Sequence, residues 1–139
     1  MELAYQLFIG AVAGILAGLI NSAAAPFYAS FGSQAHDAWR TPTIPLQLAT
    51  LAIYLVAGIG LALLFWLSWG LAAVVGVPWW QRGLAFAVVL WLVSCVPVLA
   101  AQTLTLRVPR AAAIITAVEW LITLAFVGLA CAWTWSEGP

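Results

Sequence analysis

Residues 110–135 read RAAAIITAVEWLITLAFVGLACAWTW, and after the opening Arg110 the only charged side chain in the run is Glu119. A hydrocarbon core about 30 Å thick takes roughly 20 helical residues to cross, so this run is long enough to span a bilayer. Three more runs share its character: Leu3 to Ala25, a long one from Ile44 to Val77, and Gly83 to Leu106. A lone span in lipid must satisfy its own backbone hydrogen bonds, and none of these runs alternates as barrel strands do. The sequence therefore predicts an all-α integral membrane protein with four transmembrane helices, over 3–25, 46–69, 83–106 and 111–135. No sequence period marks a repeat and no polar linker separates domains, so a single four-helix transmembrane domain is expected.

Composition agrees. The chain has 139 residues, 66% of them hydrophobic and only 6% charged, with a mean hydropathy of +1.13. A soluble domain is about 25% charged; this chain has too few charges to cover a water-facing surface. Its formal net charge is zero, and no basic stripe offers itself to phosphates, which speaks against a nucleic-acid partner. The start, with Glu2 in place of a basic region, is unlike a signal peptide, and the first span is expected to be retained. All basic residues are arginine, and alanine and glycine abound; such usage suggests a GC-rich bacterial genome, hence a bacterial inner membrane.

The second run exceeds one crossing. It begins near Ile44, in an entry flanked by Pro42 and Pro45, and about 20 residues from Leu46 reach Trp66, with Trp69 just beyond. Tryptophan prefers the membrane boundary, so the exit is placed there. Residues from Gly70 to Trp80 then form either an interfacial or a re-entrant segment; one long tilted helix is the alternative. Calling the N-terminal side A, Arg40, Arg107 and Arg110 fall on side B and Arg82 on side A. Arginine favours the cytoplasm, which makes side B cytoplasmic and both termini extracytoplasmic.

The first span contains GAVAGILAG, with Gly10, Gly14 and Gly18 four apart and Ser22 continuing the row. Small residues at this spacing let two helix backbones approach closely in lipid. The partner is either another span of this chain or a second copy.

Depth singles out another set. Counted by rise per residue, Glu119 lies roughly 12 Å in from side B, with Tyr54 at about the same level. Asn21, Ser22, Gln47, Thr50, Gln102 and Thr103 lie nearer the side-B surface, while the side-A half is rich in tryptophan and poor in hydrogen-bonding groups. Thr116, Glu119 and Thr123 share a helix face. A carboxylate facing lipid is costly and rare, so this face should turn inward. The structural reading of Glu119 is a group bonded to Tyr54 or Gln102 that locks helices together. The functional reading is a proton or cation site at the floor of a side-B cavity, assembled from Glu119, Thr116, Thr123, Tyr54, Gln102, Asn21 and Gln47.

Other motifs weigh less. Pro97 frees a carbonyl one turn earlier, at Val93; kinks of this kind commonly serve packing. The first loop holds the sole histidine, His36, with Asp37 and Arg40, and its aromatics suit a membrane-surface anchor. Cys95 and Cys131 fall at depths of roughly 18 and 6 Å from side A, too far apart to cross-link. With one histidine and this cysteine spacing, no metal site or cofactor is expected.

Four short spans and a single intramembrane glutamate give an outline similar to that of the small multidrug transporters. Those carry their key glutamate in the first helix, where this chain has glycines, so no residue is carried over. Two functions follow from the residues: a non-enzymatic accessory or homo-oligomeric membrane subunit acting through helix packing, or a small proton- or cation-coupled transporter or channel using Glu119. An enzyme is not expected, because no nucleophile–base pair, phosphate loop or metal set is present. The partners expected are the lipid bilayer and other copies or membrane subunits.

Overall fold

The computed structural model describes residues 2–29, 43–68 and 76–137. It contains four helices long and apolar enough to cross a membrane: α1 (Leu3–Ala29), α2 (Ile44–Leu67), α3 (Trp79–Thr105) and α4 (Arg110–Glu137). No strand occurs among the described residues. The chain is an all-α, four-helix, multi-pass membrane protein.

Local chemistry sets the ends. Thr43 caps α2, its hydroxyl accepting from the Leu46 N–H at 3.4 Å. Pro45 follows in the first turn, where a missing N–H leaves no bond unmade. Ser68 closes the helix by donating its N–H to the Leu64 carbonyl at 3.0 Å. The span thus ends two residues before the expected Trp69. Residues 69–75 lie outside the described residues, and the choice between an interfacial and a re-entrant segment falls on them. So does the His36–Asp37–Arg40 loop.

Gly76 adopts φ +103, a left-handed turn that glycine enters without strain. Pro78 then nucleates α3, its carbonyl accepting from the N–H groups of Gln81 and Arg82 at 3.1 and 3.2 Å. The third span therefore begins at Trp79 and not at Gly83. Trp79 and Trp80 form its first turn.

α3 is continuous but irregular. It is α-helical over Trp79–Leu90, makes a π turn over Trp91–Cys95, and resumes over Val96–Thr105. Within the wide turn the Val96 N–H reaches back five residues to the Trp91 carbonyl, and Pro97 next to it has no N–H to give. Pro97 and the π turn together redirect the helix. The half before the turn packs on α4, whereas the half after it is mostly exposed.

The bundle is two tight pairs joined by a third contact. α1 packs along α2, the first half of α3 packs along α4, and α1 against α4 links the pairs. Glycine makes both tight pairs. A methyl group on Gly10 would collide with Gly58 and Ala62, one on Gly14 with the Tyr54 carbonyl, and one on Gly58 with the Gly10 carbonyl. On Gly83 it would stand 2.8 Å from the Gly128 carbonyl oxygen, and on Gly128 it would stand 2.7 Å from that of Gly83. Lipid tails are as apolar as leucine, so such close approach, through dispersion and shape, is what holds membrane helices together.

Ser22 does not continue the row: it is exposed, and its hydroxyl turns back to the Gly18 carbonyl at 2.8 Å. A four-residue step overshoots one 3.6-residue turn by about 40°, so three steps rotate Ser22 off the contact face. Asn21, one residue earlier, stays on it.

Toward side A the core is filled by Phe65, which is fully buried. Its ring meets Phe86 edge-on at 5.1 Å and Trp135 at 6.0 Å, with Val127, Cys131 and Ala132 around it.

Gly58→Leu should lower stability in detergent by at least about 1–3 kcal/mol, the cost of overpacking, seen as an earlier thermal transition by circular dichroism. Gly60→Leu, where a Cβ meets nothing within 4 Å, should leave that transition in place.

Candidate functional site

The polar residues gather where α1, α2 and α4 meet. Gly18 leaves room for the Tyr54 ring, whose carbons lie 2.9 Å from where a Cβ would stand. On its other side the ring stacks on Trp120, with centroids 5.6 Å apart and planes 26° from parallel. Held this way, Tyr54 presents its hydroxyl to Asn21. The Asn21 amide Nδ2 lies 3.3 Å from the Tyr54 hydroxyl, 3.2 Å from the Thr123 hydroxyl and 3.1 Å from the Glu119 backbone carbonyl. Thr123 in turn donates to that same carbonyl at 2.8 Å.

A carbonyl only accepts, so its presence fixes which way the Asn21 amide faces. The Asn21 Oδ1 then points away, buried and without a partner among the described residues. Asn21 and Thr123 are both buried. The site is a closed interhelical knot.

Glu119 contributes its carbonyl and not its carboxylate. The side chain is half-buried, and no hydrogen bond or ion pair engages it among the described residues. The expected bond to Tyr54 or Gln102 is absent. On the helix, Glu119 falls in line with Phe126 and Trp133 at seven-residue steps, and those two are 40% and 52% exposed. One step the other way stands Ala112, which is buried, so the row passes from interior to exterior at Glu119, and the residue expected to face fully inward is only half-buried.

The remaining expected members are scattered. Thr116 is half-buried and satisfied by the Ala112 carbonyl at 2.9 Å. Gln102 lies exposed on the diverging half of α3, and Gln47 is exposed in the first turn of α2. Asn21, Tyr54 and Thr123 are brought together; Gln47 and Gln102 are not. Arg107 and Arg110 are also exposed.

A second knot lies where few polar groups are expected, in the side-A half. The Gln6 Nε2 donates to the Thr134 hydroxyl at 3.2 Å and the Cys131 carbonyl at 3.4 Å. Thr134 passes its own proton to Ala130 at 2.9 Å. Gln6 is fully buried and Thr134 nearly so, which corrects the expectation of a one-leaflet polar set. The signal was present: Gln6 stands four residues before Gly10, and Thr134 eleven after Thr123, a spacing that returns to the same helix face. Because α1 and α4 run antiparallel, the two knots fasten them at levels about 17 Å apart, the rise from Thr123 to Thr134.

No grouping of three or more metal-ligating side chains occurs among the described residues. Cys95 and Cys131 are both free thiols, the first half-buried and the second fully buried. Searched against protein-family models, curated proteins and solved structures, the chain matches none.

Thr123→Val and Tyr54→Phe should each cost about 0.5–1.5 kcal/mol, the range for hydrogen bonds between membrane helices. Both share Asn21, so in a double-mutant cycle read by unfolding in detergent their effects should fall short of additive.

Proposed function

We propose that this chain is a non-enzymatic membrane subunit that acts by association, as a homo-oligomer or as an accessory chain in a larger membrane assembly. One observation carries the reading. The Asn21 and Gln6 amide N–H groups are engaged across the chain's own helices, while the half-buried Glu119 carboxylate has no partner among the described residues. An acid at this depth is expensive next to lipid and is normally paired or turned to a cavity. A neighbouring subunit laid along the Glu119–Phe126–Trp133 line would bury it and supply donors. The closed knots fit this role, because a protein that works as a packing surface benefits from a rigid interior.

The membrane proposed is a bacterial inner membrane. Side B, which carries Arg40, Arg107 and Arg110, faces the cytoplasm under the arginine bias. The second reading is a proton- or cation-coupled transporter or channel. It draws on the same carboxylate, since an unpaired intramembrane acid is also what an ion would bind.

The two readings part in one set of measurements. The parent should run as an oligomer or with co-purifying membrane chains by native mass spectrometry. Glu119→Leu should weaken that association about 5- to 30-fold, the equivalent of one interhelical polar contact. Liposomes holding the parent should show no proton or cation flux above empty ones. Flux that disappears in Glu119→Gln, from a chain that stays monomeric, would establish the transporter instead.

Orientation has its own check. In a background with Cys95 and Cys131 replaced by alanine, an impermeant maleimide applied to intact cells should label Ser136→Cys and spare Leu106→Cys. The reverse pattern would put the termini inside.

A further inference from the structure

Beyond the π turn, α3 leans away from α4 and a groove of about 500 Å³ opens between them. Its floor is Trp91, whose indole N–H donates to the Ala117 carbonyl at 2.8 Å and so pins the two helices together at that level. Leu99 and Ile114 form the walls, and Thr103 and Arg110 stand at the mouth. Among the described residues no acidic side chain lines the groove, and Arg110 is the sole charged residue that does. Arg107, exposed in the short connection just before α4, adds a second positive charge at the same end.

The dimensions restrict what can lie there. From Arg110 to Val118 the groove follows α4 for about 12 Å, most of a leaflet about 15 Å deep. Spread over that length, its volume gives a mean cross-section of roughly 40 Å², slender beside a helix about 10–12 Å across. A single polymethylene chain fits it. One end is apolar and near the membrane centre, and the other reaches headgroup level at Arg110, with Arg107 three residues earlier in the chain and no acid lining it among the described residues. That is the charge and polarity pattern of a lipid whose headgroup is negative.

We propose that this groove holds one acyl chain of an anionic phospholipid, with the headgroup phosphate bound by Arg110 and Arg107 at the α3–α4 connection. The π turn and Pro97 act here as the device that opens the site, and Trp91 sets its depth. The site stands on the side of α4 away from the α1 contact, so it does not depend on Glu119 or on how copies associate.

The test reconstitutes the protein in vesicles of equimolar phosphatidylglycerol and phosphatidylcholine with matched chains, then counts lipids retained after gentle extraction by native mass spectrometry. The parent should retain phosphatidylglycerol in preference. Arg110→Gln should cut that preference about fivefold, the worth of one arginine near an anionic surface, and Arg107→Gln should act alike. Ala100→Phe, placed on an exposed position of the groove wall, should fill the space and release both lipids. Thr103→Phe serves the same purpose if that variant does not fold. Equal retention of the two lipids by the parent would overturn the proposal, as would binding that neither arginine variant nor a filled groove alters. Disulfide cross-linking between copies carrying Ala100→Cys would show a second copy's helix in the groove and overturn it as well.

Discussion

Close backbone approach between helices is the constraint on which the rest of this structure depends. In lipid, burying an apolar side chain against another gains little over burying it against acyl chains, so contact must come from shape. Gly10, Gly14 and Gly58 supply it between α1 and α2, and Gly83 with Gly128 between α3 and α4. These contacts fix two helix pairs, and everything polar is arranged around them. Tyr54 reaches Asn21 only because Gly18 lets its ring lie flat on α1. Trp91 reaches the Ala117 carbonyl about two turns beyond the Gly83–Gly128 contact that holds α3 against α4.

The two pairs are joined by other means. α1 and α4 meet through a buried amide in each leaflet, Gln6 toward side A and Asn21 toward side B, each answered by a threonine of α4. Interhelical hydrogen bonds of this kind are modest individually, but an amide has several arms and fixes register as well as proximity. Threonines that first return their protons to their own helix can still accept from a neighbour, so the knots form without leaving the α4 backbone short of partners. The outcome is a bundle whose interior chemistry is largely spent on holding itself together. Outside these knots stand the half-buried Glu119 carboxylate and the groove where α3 departs.

Much of the candidate site could be read from the residues, and the part that could not has a physical cause. Asn21, Tyr54 and Thr123 stand out because polar side chains are rare in these spans. Glu119 stands out too, yet its role is divided: the backbone carbonyl joins the knot while the half-buried carboxylate stays outside it. Depth gives position along the membrane normal and nothing about azimuth, which depends on where the neighbouring helices sit. Gln47 and Gln102 fail for the same reason, since they belong to the same side-B set but are exposed. Ser22 fails because a four-residue step is not a helical turn, and over three steps the difference carries it off the face.

Hydropathy alone determined that this chain crosses a membrane with four helices, because a backbone in hydrocarbon has few ways to satisfy its hydrogen bonds and span length is set by bilayer thickness. The glycine row likewise announced a close contact from α1. Which helix receives that contact, that Gln6 meets Thr134 from the far end of the chain, and that α3 parts from α4 after Trp91 were decided only by the tertiary structure. All four spans are nearly equal in apolarity, so burial cannot sort them. Pairing is settled by the fit of small surfaces and a few amides that lie far apart in sequence.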